Sequence, residues 1–161
     1  MTTGGGNTLI GYEAGTASQD GAQTAIGYRA AYSATSGVRN VALGDQSLRG
    51  LTTANDCTAI GYNSLFYNTT GHSNTALGKD ALKANTTANY NVAIGALCLD
   101  ANTTGGDNTA AGVAALGKNT TASNNTAFGR AALAENTTGP RNTAVGALAA
   151  FIYTITQIFP R

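Results

Sequence analysis

The chain has few of the residues from which catalytic and metal sites are built. Its 161 residues include one histidine, two cysteines, two prolines, one methionine and no tryptophan. A zinc site or a histidine-based triad needs several such groups near one another. The single histidine, His72, follows a predicted turn at Gly71. We therefore predict a protein that is not an enzyme and has no catalytic residue, no cofactor and no metal site.

Charge is scarce as well. Lys, Arg, Asp and Glu make up 11% of the chain, and the formal net charge is +1. Phosphate binding needs clustered Lys and Arg, so we do not expect nucleic acid as a partner.

A signal-peptide pattern is also missing, because Met1 is followed by Thr and Gly rather than by a charged start and an apolar run.

Glycine, in contrast, is abundant and regularly placed. Nine of the 21 glycines each close a short β-type run, and the first interval between them is 16 residues while the other seven are 17. These glycines are Gly11, Gly27, Gly44, Gly61, Gly78, Gly95, Gly112, Gly129 and Gly146. A fixed period marks a repeat architecture. We predict nine copies of a 17-residue repeat with these glycines at structural turns.

The consensus of one copy is Asn-Thr-Ala-aliphatic-Gly-x-x-Ala-Leu-x-x-Asn-Thr-Thr-Gly-x-x, as in the run that starts at Asn74. Asn and Gly punctuate extended runs because they tolerate left-handed backbone angles. Two such turns per copy leave room for two short strands, or for one strand and one helical turn. The predicted fold class is all-β: an elongated β-solenoid or β-roll, or a triple-stranded β-helix fibre, with Asn and Thr side chains stacked in ladders.

The charged residues indicate which positions face solvent. Nearly all of them fall on variable positions, such as Lys79, Asp80 and Lys83 within one copy. We predict that the variable positions face outward and that the Ala, aliphatic and Leu columns face the core. Most tyrosines share the variable positions, and the predicted recognition surface consists of Tyr12, Tyr28, Tyr62, Tyr67 and Tyr90.

Two residue types have a structural interpretation beside a chemical one. Cys57 and Cys98 are 41 residues apart, which is not a multiple of 17, so a disulfide would have to cross the stack. We expect them to be two small apolar side chains that fill space instead.

The Asn-x-Thr pattern of N-glycosylation recurs with the repeat. Repeated turn chemistry accounts for this recurrence and is the favoured interpretation. The candidate acceptors are Asn68, Asn85, Asn102, Asn119 and Asn136, with Asn124 as a further match.

Three segments are predicted. Residues 1–6 form a flexible polar lead, residues 7–149 the repeat shaft, and residues 150–161 an apolar C-terminal β segment that caps the stack, closes an oligomer or docks on another subunit. The apolar stretch that includes this segment is shorter than the roughly 20 residues of a transmembrane helix and has β-branched character, so a membrane partner is not expected.

The small side chains of each copy bury little apolar area for the number of residues that must be ordered. A homotrimer with a core shared between chains is therefore the favoured assembly, and a monomeric solenoid and an end-to-end polymer remain alternatives.

The repeated Asn-Thr-Ala-Ile/Leu-Gly-x-x-Ala-Leu-x-x-Asn-Thr-Thr-Gly string resembles the shaft repeats of bacterial and phage tail-fibre-domain proteins. It is similar, more loosely, to the heads of YadA-type trimeric autotransporter adhesins. The resemblance covers residues 7 to about 149. It implies a homotrimeric, β-rich, adhesive rod that lies outside the cell, on the cell surface or on a virion.

The predicted function is accordingly a structural fibre protein without catalysis. Its expected partners are other copies of itself and a cell-surface glycan or receptor. One alternative is an extracellular filament subunit that stacks end to end. Another is an ice- or carbohydrate-binding solenoid.

Overall fold

The chain forms a parallel β-solenoid in a computed structural model that describes residues 5–18 and 22–151. Over these residues each coil contributes one three-residue strand, and the nine strands form a single parallel sheet in chain order. The strands are β1 Thr8–Ile10, β2 Thr24–Ile26, β3 Val41–Leu43, β4 Thr58–Ile60, β5 Thr75–Leu77, β6 Val92–Ile94, β7 Thr109–Ala111, β8 Thr126–Phe128 and β9 Thr143–Val145. The all-β repeat fold predicted from the glycine spacing is therefore confirmed.

Equivalent residues of successive copies lie directly above one another. Strand β5 pairs with β6 so that Thr75 is opposite Val92 and Ala76 opposite Ala93. Turns fill the rest of each described coil, so neither the second strand nor the helical turn allowed by the sequence occurs there. Most of the predicted lead, residues 1–4, and most of the predicted C-terminal segment, residues 152–161, lie outside the described residues.

The core is a stack of alanine and leucine columns. Ala76 at the centre of its strand and Leu82 in the following turn are both fully buried, and their counterparts in other coils repeat this burial. The prediction that the Ala and Leu columns face inward is confirmed.

The prediction for the aliphatic column is wrong. Successive side chains of a strand point to opposite faces, so the central alanine of a three-residue strand points inward and both flanking residues point outward. Leu77 and Ile94, which end their strands, are each 43% exposed.

Besides the repeat glycine, three residues in each regular coil have left-handed backbone angles. In the fifth coil they occur at Asp80, Leu82 and Tyr90, with φ of 56°, 49° and 60°. A β-branched side chain rarely adopts this conformation, and the equivalent positions of the other described coils hold no Val, Ile or Thr. This explains why the buried turn column is leucine although valine and isoleucine occur freely in the strands.

Two ladders of buried asparagines connect the coils. In the first, Asn91 donates its backbone N–H to the side-chain oxygen of Asn74 at 2.9 Å, and its amide nitrogen donates to the carbonyl of Gly105 at 2.9 Å. In the second, the amide nitrogen of Asn102 donates to the side-chain oxygen of Asn85 at 3.1 Å. These ladders satisfy buried polar groups where the chain turns, and they confirm the predicted stacking of Asn side chains.

Candidate interaction surface

The outer face of the parallel sheet is a repeated surface that includes all nine described strands. We call it the sheet face, and it consists of the first and third residue of each strand. The first residue is Thr or Val and the third is an aliphatic residue or, in β8, Phe128. The nine strands give this face a length of about 38 Å, since neighbouring strands lie about 4.8 Å apart.

The sheet face carries no charged residue in any of the described strands. The third residues of six strands are exposed, from 36% for Ile26 to 72% for Val145. Those of the other three strands, Leu43, Ile60 and Ala111, are half-buried. Exposed apolar patches are common features of interaction surfaces, so the sheet face is a candidate surface for contact with another molecule.

In the C-terminal half, apolar residues also occupy the turn that follows the glycine column. Leu97, Val113 and Leu148 are exposed there. The equivalent turn in the N-terminal half holds polar residues such as Glu13 and Gln46. Exposed aliphatic residues therefore occupy this turn only toward the C-terminal end of the described chain, whereas Tyr12, Tyr28 and Tyr62 are exposed at the same turn in the N-terminal half.

The structure brings together two of the five predicted recognition tyrosines. The rings of Tyr12 and Tyr28 stack with centroids 5.6 Å apart and an interplanar angle of 9°. Arg29, beside them, places its guanidinium carbon 5.1 Å from the Tyr28 ring and forms an ion pair of 2.6 Å with Glu13.

The other three tyrosines are exposed but separate. Tyr62 lies in the same column as Tyr28 with Asp45 between them. The rings of Tyr67 and Phe66 meet edge to face, with their centroids 4.6 Å apart. Tyr90 belongs to a different column and is 61% exposed.

Not every variable position faces solvent. Asp80 is only 7% exposed, and its carboxylate accepts from the amide nitrogen of Asn63 at 3.3 Å and lies 3.2 Å from the ammonium of Lys83. Asn63 itself is 8% exposed. These residues hold the turn of one coil against that of the next, a role that the charge pattern did not indicate.

The five asparagines of the recurring glycosylation pattern are buried. Asn68, Asn85, Asn102 and Asn119 are fully buried and Asn136 is 5% exposed. The amide nitrogen of each donates to the backbone oxygen three residues later, for example Asn85 to Ala88 at 3.1 Å. An amide held in this way supports the turn interpretation of the Asn-Thr-Thr motif.

The cysteines lie in different columns, as the spacing predicts, and both are buried without a disulfide. Cys57 takes the place of an asparagine in the first ladder, and Cys98 takes the place of an alanine in the core. Burial raises the pKa of Cys57 to about 11 and that of Cys98 to about 12. Thiols with such high pKa values are poor nucleophiles and poor metal ligands near neutral pH.

The histidine is part of the coil-to-coil contacts, because the Nδ1 atom of His72 accepts the backbone N–H of Asn55 at 3.0 Å. No group of three metal-ligating side chains occurs in residues 5–18 and 22–151.

Across these same ranges, no helix is long and apolar enough to cross a bilayer.

The exposed aliphatic column is the main feature that the sequence argument missed. The alternation Thr-Ala-aliphatic would have revealed it, since residues two apart in a strand share a face.

No protein-family model, curated protein or solved structure matches the chain.

Proposed function

We propose that the protein is a structural fibre module in which three copies pack their sheet faces around a common axis. The observation that carries this proposal is the uncharged sheet face, whose third residues are exposed apolar side chains in six of the nine described strands. Covering this face removes apolar area from water without burying a charge, which is the favourable direction of the hydrophobic effect.

A second apolar surface favours three copies over two. Residues such as Leu97 and Val113 extend the apolar surface past the glycine column. A ring needs two different complementary surfaces on each copy, because each copy contacts one neighbour on each side. The sheet face and this turn surface would supply the two.

In this proposal the rod displays a binding surface and does not catalyse a reaction. The stacked Tyr12 and Tyr28 near the N-terminal end, with exposed Tyr62 and Tyr67 further along, are the surface proposed to contact a cell-surface glycan or receptor. Aromatic rings with a polar tip suit such contacts. A site outside the cell, on its surface or on a virion fits this proposal.

The mass of the protein in solution tests the assembly. Light scattering should give three times the 16.1 kDa of the single chain. The double variant Leu77→Glu with Ile94→Glu places two charges on the sheet face and should give folded monomers. Thr87→Glu adds a charge on an exposed turn away from this face and should leave the trimer intact. A monomeric parent chain would refute the trimer, and long polymers in electron micrographs would support the end-to-end filament instead.

A second use of the same face is ordering water on an ice surface. Its first column holds Thr in seven of the nine described strands, for example Thr58 and Thr75, beside the aliphatic column. This column is free of charge and regularly spaced. The Thr-Thr turns are less suited to bind water because their hydroxyls are engaged within the protein, as where Thr69 donates its hydroxyl to the carbonyl of Thr86 at 3.1 Å. Thermal hysteresis by a monomeric parent, lost in Thr75→Lys, would establish this use. Its absence in the parent would remove it.

A further inference from the structure

The column of side chains five residues after each glycine is filled in the N-terminal half of the rod. Arg49 lies between two rings of this column, with its guanidinium carbon 5.8 Å from the centre of the Tyr32 ring and 5.3 Å from that of Phe66. A planar cation is attracted to the faces of aromatic rings. The column continues through Lys83 to Asp100.

The next two members of this column are Gly117 and Ala134, which have almost no side chain. They leave a recess of about 420 Å³ between Asp100 at one end and Phe151 at the other. Its floor is apolar because it is formed by these two residues together with Ala114 and Ala131 of the neighbouring column. The recess is therefore the place of two missing side chains in an otherwise continuous stack.

The charge of this recess is not balanced. Its three ionisable groups are Asp100, Lys118 and Glu135, which sum to −1. The ammonium of Lys118 is already paired with Glu135 at 2.7 Å. Asp100 has no ion pair with any of the described residues.

The position of the Asp100 carboxylate directs this charge into the recess. One of its oxygens, Oδ1, lies 3.4 Å from the point where a Cβ atom on Gly117 would be. The carboxylate thus stands over the floor. Burial raises the pKa of Asp100 and outweighs the backbone hydrogen bonds and the charge of Lys83, which lower it.

We propose that this recess binds an arginine side chain of a partner polypeptide. The guanidinium pairs with the carboxylate of Asp100, and the methylene stem lies on Ala114, Gly117 and Ala134 and runs toward Phe151. Arg49 shows that the same column accepts a guanidinium between its neighbours on adjacent coils. Arginine suits the site better than lysine because its planar, weakly hydrated head forms two parallel hydrogen bonds with a carboxylate and lies flat on an apolar floor.

The proposal is tested by NMR titration of the full-length chain with N-acetyl-argininamide. Its neutral isostere, N-acetyl-citrullinamide, is the matched control ligand. Binding of the arginine derivative should shift the amide signals of Gly117, Lys118 and Ala134, and the citrulline derivative should bind at least about tenfold more weakly. A peptide with a central arginine should give the same shifts with higher affinity.

Three variants test whether the arginine derivative binds at the recess or is attracted to acidic side chains in general. Asp100→Asn keeps the shape of the side chain and should reduce the affinity for the arginine derivative at least about fivefold. Ala134→Phe fills the recess and should abolish the shifts at Gly117. Asp107→Asn changes an exposed acid in another column and should leave the affinity unchanged.

Equal affinities for the two ligands would overturn the proposal, as would equal effects of Asp100→Asn and Asp107→Asn. Shifts spread over all acidic residues would also overturn it. The titration is read at amides of the recess and the trimer from the mass in solution, so failure of one proposal is distinguishable from failure of the other.

Discussion

Asn74 and Asn91 join two coils through a single oxygen atom. The Oδ1 atom of Asn74 accepts both the backbone N–H of Asn91 at 2.9 Å and its side-chain amide at 3.3 Å. The Oδ1 atom of Asn91 then accepts the backbone N–H of Asn108 at 3.0 Å. Each asparagine is thus a donor to one coil and an acceptor for the next.

We expect Asn91→Ala to lower the free energy of unfolding by about 3 kcal/mol, because it removes hydrogen bonds in both directions and leaves buried partners unsatisfied. Thr87→Ala, at an exposed turn position of the same coil, should change it by less than about 0.5 kcal/mol. Urea unfolding followed by circular dichroism measures both. Equal losses would show that the ladder contributes no more than an ordinary turn residue.

Cys57 interrupts this ladder, and restoring it should stabilise the protein. In Cys57→Asn the new amide can donate to the carbonyl of Gly71, which the thiol now contacts at 3.2 Å, and its oxygen can accept the backbone N–H of Asn74. The expected gain is about 1 kcal/mol. Cys98→Asn is the matched control, since it puts the same group into the apolar core and should cost about 2 kcal/mol or more. A loss of stability in Cys57→Asn would contradict the expectation.

The repeated glycines are required by both conformation and space. Gly78 has a φ of 133°, and a Cβ atom on it would lie 2.6 Å from the carbonyl carbon of Gly95. We expect Gly78→Ala to destabilise the fold by about 3–5 kcal/mol, as strain and overpacking add. Gly106→Ala should cost less than about 1 kcal/mol, because Gly106 has no left-handed φ and its Cβ would meet only one oxygen, at 3.2 Å. Thermal unfolding of the two variants makes the comparison.

The leucine column depends on backbone conformation as well as on size. Leu82 is fully buried with a φ of 49°. Leu82→Ile conserves volume but forces a β-branched residue into a left-handed conformation, and we expect a loss of about 2 kcal/mol or more. Leu82→Met, which is unbranched, should lose less than about 1.5 kcal/mol. The reverse order in denaturant unfolding would show that packing alone selects leucine.

The buried thiols should make stability fall in alkaline solution. The folded pKa is about 12 for Cys98 and about 11 for Cys57, against 9.0 for an unperturbed thiol. Above pH 9 the unfolded chain loses these protons first, so the contribution is complete below pH 9 and declines as the pH rises toward the folded values. The slope should be about 1.4 kcal/mol per pH unit for each thiol. In Cys98→Ala the decline should be shallower, and an unchanged slope would show that other groups cause it.

Much of the fold follows from simple patterns in the sequence. The glycine interval gives the length of the coil, and the recurrence of Ala76 and Leu82 with that interval identifies the core columns. The Asn-Thr-Thr motif indicates turns, and equivalent asparagines of successive coils must stack because the period is constant. These inferences hold because each coil repeats the environment of the one before it.

The outward orientation of Leu77 and its equivalents was missed because an aliphatic residue in a strand was assigned to the core by its type. Alternation decides its direction instead, and a strand of three residues has room for one inward side chain. The recess beside Asp100 could not be predicted for a different reason. It depends on which turn columns are neighbours in space, and the positions of Ala114 and Gly117 in the sequence do not show that these columns adjoin.

The contacts between coils have a consequence for the length of the rod. The side-chain bonds of the second ladder, such as those of Asn85 with Asn68 and of Asn102 with Asn85, join residues 17 positions apart. An insertion or deletion of one whole copy would therefore leave the contacts of the repeated columns with the same kind of partner and move the two ends by about 4.8 Å. The length of the rod is therefore set by the number of repeat copies in the gene and changes in equal steps of one coil.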